Sequence, residues 1–189
     1  MANWDSFILH LFNGWAEKGA LVAWLALFFA EYFPYFWVLG AVFLILKERD
    51  FKARWRFFAL ASLSVLFSRG ILTEAIRFFY YRPRPFLADD SLVVLVNHSP
   101  TSSFPSGHAA FYFALALAVF SVDRKRGWYF LGGAAVIGLA RIFSGAHWPS
   151  DIIGGAATAA IGFFAAKRLL SPLDAGKDGQ TTLETRAER

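Results

Sequence analysis

Two histidines, an aspartate and a set of arginines stand out by residue type and spacing. His108 closes the run Pro105-Ser106-Gly107-His108, and His147 lies between Arg141 and Asp151. A third group, Arg77, Arg82 and Arg84 with Pro83 and Pro85, precedes both. Guanidinium groups grip phosphate oxygens bidentately, so this many arginines beside two histidines suit a phosphate better than a cation. Ser106 and Gly107 read as a helix start, where unpaired backbone amides and the positive dipole end favour an anion. A metal held by two histidines and an aspartate is the competing reading; the surrounding arginines would repel a divalent ion. The absence of cysteine removes a thiolate zinc site, a cysteine nucleophile and a disulfide framework. We expect neither metal nor cofactor.

Helices crossing a bilayer have to position these groups. The chain has 189 residues, 57% apolar and 19% aromatic, with 17% charged, whereas a soluble protein carries roughly 25% charge. Its length argues for one domain, placed at residues 1–170, with a polar cytoplasmic tail at 171–189. Apolar stretches near 21–46, 56–81, 106–122, 127–144 and 152–166 predict five transmembrane helices. The last three are rich in Gly and Ala, which let helices pack closely in lipid. The fold class is therefore an all-α membrane bundle. Trp4, Phe7, Ile8, Leu11, Phe12 and Trp15 recur with helical period and predict an additional interfacial helix at the N-terminus.

Charge sets the orientation. Lys47, Arg49, Lys52, Arg54 and Arg56 join the first two spans, Arg124, Lys125 and Arg126 the third and fourth, and Lys167 and Arg168 follow the fifth. These ends are cytoplasmic by the positive-inside rule, with the N-terminus outside and the C-terminus inside. All three chemistry-bearing groups then fall on the outer face. The net charge of +5 reflects topology, so membrane lipids and no nucleic acid are the expected partners.

Arranged this way, the sequence resembles the type 2 phosphatidic acid phosphatase (PAP2) family, whose motifs are K-x6-R-P, P-S-G-H and S-R-x5-H-x3-D. Arg77 to Arg84-Pro85 matches the first, Pro105-Ser106-Gly107-His108 the second, and Ala140-Arg141 through His147 to Asp151 the third; Arg77 replaces the lysine and Ala140 the serine. The resemblance spans about residues 70–165. It implies a core shared with vanadium haloperoxidases and a metal-independent lipid phosphatase. It further implies that His147 attacks phosphorus to form a phosphohistidine, that Asp151 steadies its ring, and that His108 protonates the leaving oxygen and then activates water. Arg77, Arg84, Arg141, Ser106 and Gly107 would hold the phosphate.

Residues 8–16, 30–35 and 80–86 resemble bacterial undecaprenyl-diphosphate phosphatases, which recycle the cell-wall carrier lipid at the outer face of the plasma membrane. A polyprenyl or phospholipid phosphate is thus the expected substrate. Phosphatidic acid, phosphatidylglycerophosphate or lipid A dephosphorylation, haloperoxidase chemistry, and a non-catalytic transporter or lipid-binding role stay open, as does the oligomeric state. Four residues are expected to support the site. Glu31 and Arg69 lie at equal depth in antiparallel spans, which predicts that they pair; Glu74, one turn before Arg77, would orient it. His98, in the loop before the second motif, is positioned to contact a diphosphate, together with Asn97.

Overall fold

The computed structural model describes residues 3–16, 18–96 and 100–171. The tail expected at 171–189 therefore falls, from residue 172 on, outside the described residues, as do Asn97 and His98. The described chain is helical, without a strand. Helix α1 is Asn3–Ala16; α2 is Ala20–Lys47 and α3 is Phe51–Phe79. A single turn, α4, is Pro85–Ala88. The remaining helices are α5 (Gly107–Val122), α6 (Arg124–Phe143) and α7 (Pro149–Leu170).

Short polar side chains set the helix starts by accepting from first-turn amides that have no partner in the helix. Asp50 accepts from Lys52 N at 2.8 Å, and Asp123 from Arg126 N at 2.9 Å. Because Asp123 alone separates α5 from α6, those helices run antiparallel. The C-terminal ends of α3 and α6 and the N-terminal ends of α5 and α7 consequently share one end of the bundle. The opposite end gathers the basic residues; Arg56 and Lys167 line one depression there.

Helix α5 is the central rod, with α3, α6 and α7 packed around it. Its Ala109, Ala110, Ala114, Ala116 and Ala118 are fully buried. In lipid, association depends on van der Waals fit, and small residues let backbones approach. Gly162 of α7 is the clearest case, since a Cβ there would lie 2.7 Å from Ser68 N and 3.0 Å from Ser64 O. Larger side chains, among them Phe57, Leu60, Val119, Phe130, Ile137 and Phe163, fill the core between the rods. Large apolar side chains also point outward, with Phe78 83% and Phe79 85% exposed, an arrangement that suits hydrocarbon rather than water.

All five expected long helices are present. Helices α2, α3 and α7 are long and apolar enough to cross a membrane by length and composition. Helix α5 is shorter, at 16 residues, and α6 opens on Arg124, Lys125 and Arg126. Both bury much of their surface against protein, so they meet lipid over a smaller area. Helix α1 docks across the site end. Leu9 packs on Leu92, Ile142 and Trp148, while Trp4, Phe7, Leu11 and Trp15 stay exposed on the opposite face as an interfacial helix requires.

Two rods carry a π turn, Phe28–Tyr32 in α2 and Leu66–Leu72 in α3. Each adds a residue to one turn and rotates the remainder of the helix about its axis. In α3 the widened turn is stitched by Thr73 Oγ1 donating to Ser68 O at 2.9 Å and by Ser68 Oγ donating to Ala110 O of α5 at 3.2 Å. Since neither Ser68 N nor Ser64 O can yield without breaking α3, Gly162→Ala is expected to destabilise the protein by about 1–3 kcal/mol. The check is a lower unfolding midpoint in detergent than for Gly132→Ala, whose added Cβ meets nothing within 4 Å.

Candidate active site

Asp151 occupies the first turn of α7, just after Pro149, and is fully buried. Its Oδ2 accepts from Trp148 N at 2.9 Å and faces His147 Nδ1 at 3.3 Å; its Oδ1 accepts from Arg82 Nη1 at 2.6 Å. The turn leading into it depends on Gly145, whose φ of +70° is a left-handed conformation that other residues adopt only with strain. This turn swings His147 back over the end of α6. With Nδ1–H given to Asp151, the Nε2 lone pair faces outward, where Arg84 Nη1 donates to it at 3.2 Å. That network assigns the tautomer.

Burial pushes the His147 imidazole down to about 4, with the nearby Arg84 and Arg141 adding to the effect and the bond and charge of Asp151 opposing it. The ring is therefore neutral at ordinary pH, the form that can attack phosphorus. Arg84 is lowered to about 10, by burial first and by Arg77 next, and so keeps its charge. It also donates through Nη1 to Ala146 O at 3.1 Å and through Nε to Thr101 O at 3.2 Å.

A cavity of about 520 Å³ opens in front of His147. Arg77, Arg84, Gly107 and His108 line it, joined by Arg69, Glu74 and Tyr112. Arg77 reaches it from the last turn of α3 and donates through Nη2 to Pro105 O at 3.0 Å. His108 comes from the first turn of α5. Ser106 and Arg141 lie behind the cavity wall. Ser106 caps α5 through Ala109 N at 3.4 Å and donates its own N–H to Asp151 O at 3.0 Å. Arg141, only 1% exposed, bonds His108 Nε2 through Nη2 and Glu31 Oε1 through Nη1 at 2.9 Å. The structure thus brings the three motifs together, with Arg141 set as a brace for His108. Among the described residues, no three His, Cys, Asp or Glu side chains gather as a metal-binding set.

The expected pairing of Glu31 with Arg69 is corrected. Glu31 bonds Arg141, and Arg69 pairs with Glu74 on its own helix. Equal depth says nothing about direction around a helix axis, and both residues sit in π turns that alter it. Glu74 does approach Arg77, at 3.6 Å between Oε1 and Nη1, as its spacing predicted.

Sequence reasoning missed the support behind Asp151. Arg82 spans two buried carboxylates, Asp151 and Asp5 of α1, the latter through Nη2 to Oδ2 at 2.5 Å. Asp5 also accepts from Ser150 N at 2.8 Å. Two turns along α1, the Asn13 side chain bonds Val93 N at 2.9 Å, Val93 O at 2.8 Å and Phe143 O at 2.9 Å. The signal was present: Asp5, Leu9 and Asn13 form a stripe opposite the aromatic face of α1, and polar residues on the inward face of a docked helix need partners.

A sequence profile of the PAP2 superfamily matches residues 58–173. The chain is 29% identical over 154 residues to the bacitracin transport permease protein BcrC of Bacillus licheniformis, covering 82% of this chain and 73% of that protein. It is 33% identical over 91 residues to undecaprenyl-diphosphatase BcrC of Bacillus subtilis (strain 168), covering 48% of this chain and 47% of that one. The crystal structure of Aquifex aeolicus LpxE superposes with a TM-score of 0.67 at 22% identity, covering 85% of this chain and 93% of that chain.

The site generates two measurable outcomes. Because His147 releases its proton near 4 rather than at the usual 6.5, the acid limb that its protonation imposes on kcat/KM should fall well below pH 6.5 in a rate profile run from pH 4 to 9. Asp5→Ala leaves Arg82 short of one buried counter-charge. It should lower the unfolding midpoint, with a loss of about 3–5 kcal/mol, and reduce kcat, although Asp5 does not line the cavity.

Proposed function

The chain belongs to the PAP2 superfamily, and from that membership we propose that it hydrolyses a lipid diphosphate, undecaprenyl diphosphate, to the monophosphate at the outer face of a bacterial plasma membrane. The observation that carries this reading is the neutral His147, steadied at Nδ1 by Asp151 and turned by Nε2 to a cavity lined with arginines. Such a site is built to receive an anion and attack it.

In the first step, the Nε2 lone pair attacks the terminal phosphorus, and the bond from phosphorus to the bridging oxygen breaks with its electron pair on that oxygen. His108, once its Nε2 exchanges the bond from Arg141 for a proton, gives that proton to the departing lipid phosphate. Positive charge develops on His147, and Asp151 stabilises it through Nδ1–H. Arg84 transfers its hydrogen bond from Nε2 to a phosphate oxygen, and Arg77 holds another, so charge is met in place as the group transfers. In the second step, water attacks the phosphohistidine while neutral His108 takes its proton. The P–N bond breaks, its electron pair returns to Nε2, and phosphate leaves.

Two further observations support the substrate and the side. The B. subtilis relative is named an undecaprenyl-diphosphatase. The helix ends carrying Lys47, Arg54, Arg124, Lys125 and Lys167 lie opposite the cavity, which by the positive-inside rule supports an outer location for the cavity. The monophosphate formed there returns to the pool of cell-wall carrier lipid.

Phosphate release from detergent-solubilised protein, compared on undecaprenyl diphosphate, phosphatidic acid and phosphatidylglycerophosphate with and without chelator, tests the reading. The diphosphate should be turned over fastest, and chelator should change nothing. His147→Ala should lose about 10³-fold or more in kcat, and acid-labile label from a terminally labelled substrate should appear on the wild type alone. Unchanged turnover by His147→Ala would overturn the covalent route.

A further inference from the structure

We propose that Arg69 forms a second phosphate subsite, which takes the lipid-side phosphate of a diphosphate while the terminal phosphate sits against His147 and Arg84. The inference rests on the phosphatase reading above and adds a determinant of diphosphate over monophosphate substrates.

Position is the first argument. His147 and Arg84 share the lining of one cavity with Arg69 and Glu74, and Gly107 and His108 at the start of α5 belong to the same wall. A Cβ on Gly107 would meet Arg69 Nε at 2.5 Å and Arg69 Cζ at 3.1 Å, so the guanidinium occupies the space that Gly107 leaves open, one residue from His108. His108 is the acid for the bridging oxygen. A diphosphate with its terminal phosphorus at His147 and its bridging oxygen at His108 carries its inner phosphate onward to Gly107 and Arg69.

The second argument is the backbone. Arg69 lies inside the π turn Leu66–Leu72, and such inserted residues often serve function. Here the turn is pinned to α5 by Ser68 Oγ at Ala110 O, so Arg69 is held against the helix that presents His108.

The third argument is connectivity. Arg69 and Phe111 line both the polar cavity and an apolar groove of about 680 Å³ between α2 and α3, floored by Ile45, Phe58 and Leu66. The inner phosphate of a lipid diphosphate must lie where polar site meets apolar path, and Arg69 is the cation at that junction.

Charge agrees. The cavity wall has three arginines against the single carboxylate of Glu74, which pairs with Arg69 and approaches Arg77.

The test compares kcat/KM of the full-length protein on farnesyl diphosphate and farnesyl monophosphate, which share one tail. Arg69→Gln should reduce the diphosphate-to-monophosphate ratio by about tenfold or more, the loss expected for a hydrogen bond to a charged group, and Arg69→Lys should restore part of it. A ratio unchanged in Arg69→Gln, or losses equal on both substrates, would overturn the subsite. A wild type that releases no phosphate from the diphosphate would instead overturn the phosphatase reading beneath it. Competitive inhibition of the wild type needs no variant to fold: a farnesyl methylenebisphosphonate should bind about tenfold or more tighter than farnesyl phosphonate, and equal inhibition would also refute the subsite.

Discussion

The site end of this bundle depends on a single buried carboxylate. Asp151 is fully enclosed, and an ion removed from water is tolerated only when hydrogen bonds and opposite charge replace its hydration. Those partners come from different parts of the chain: Trp148 N from its own helix start, Arg82 from the loop after α3, and the ring of His147. Its backbone carbonyl accepts the Ser106 N–H of α5. Satisfying one residue therefore fixes the relative placement of α5, α7 and the arginine-bearing loop. The same requirement recruits α1, because Arg82 facing Asp151 has charge and donors left for Asp5. The histidine orientation is one consequence of that closed set of bonds.

Small residues make such closure reachable. The starts of α5 and α7 can share hydrogen bonds only if their axes are close, and the bare backbone of Gly155 allows this: a Cβ there would meet Ser106 O at 2.6 Å and Ala109 Cβ at 2.6 Å. In lipid no hydrophobic effect pulls helices together, so this fit supplies much of the attraction itself. The Gly and Ala content that reads as a packing feature is thus also what allows carboxylate, imidazole and guanidinium to meet at the bundle end.

Much of this was legible from the chain alone, for identifiable reasons. The long helices followed from hydropathy, and the shared end of His108, Arg77 and His147 from the alternation of helix direction. Each depends on order along the chain. The hidden features depend on rotation and on distant partners. Glu31 and Arg69 were placed at the right depth and given the wrong partners, because the π turns carry no marked sequence signature and redirect side chains around the axis. Asp5 and Asn13 were overlooked because the aromatic stripe of α1 dominates its pattern, while their partners lie far along the chain.

The position of Arg84 links substrate binding to the readiness of the nucleophile. Its Nη1 donates to the His147 Nε2 lone pair, the electron pair that attacks phosphorus in the proposed mechanism. The same bond keeps the ring in the tautomer that faces Asp151 and places a positive charge where an imidazolium would form, which helps to hold His147 neutral. A phosphate oxygen is a stronger acceptor than imidazole and carries charge, so in the proposed mechanism arrival of the anion draws the Arg84 donor away and exposes the lone pair as phosphorus comes within reach. In the proposed transfer, the imidazolium that Arg84 opposed is screened by the phosphate it then holds, and Asp151 remains to stabilise it. In the proposed mechanism one guanidinium can thus guard the nucleophile and also stabilise transfer, because a phosphate oxygen is the acceptor it prefers to imidazole.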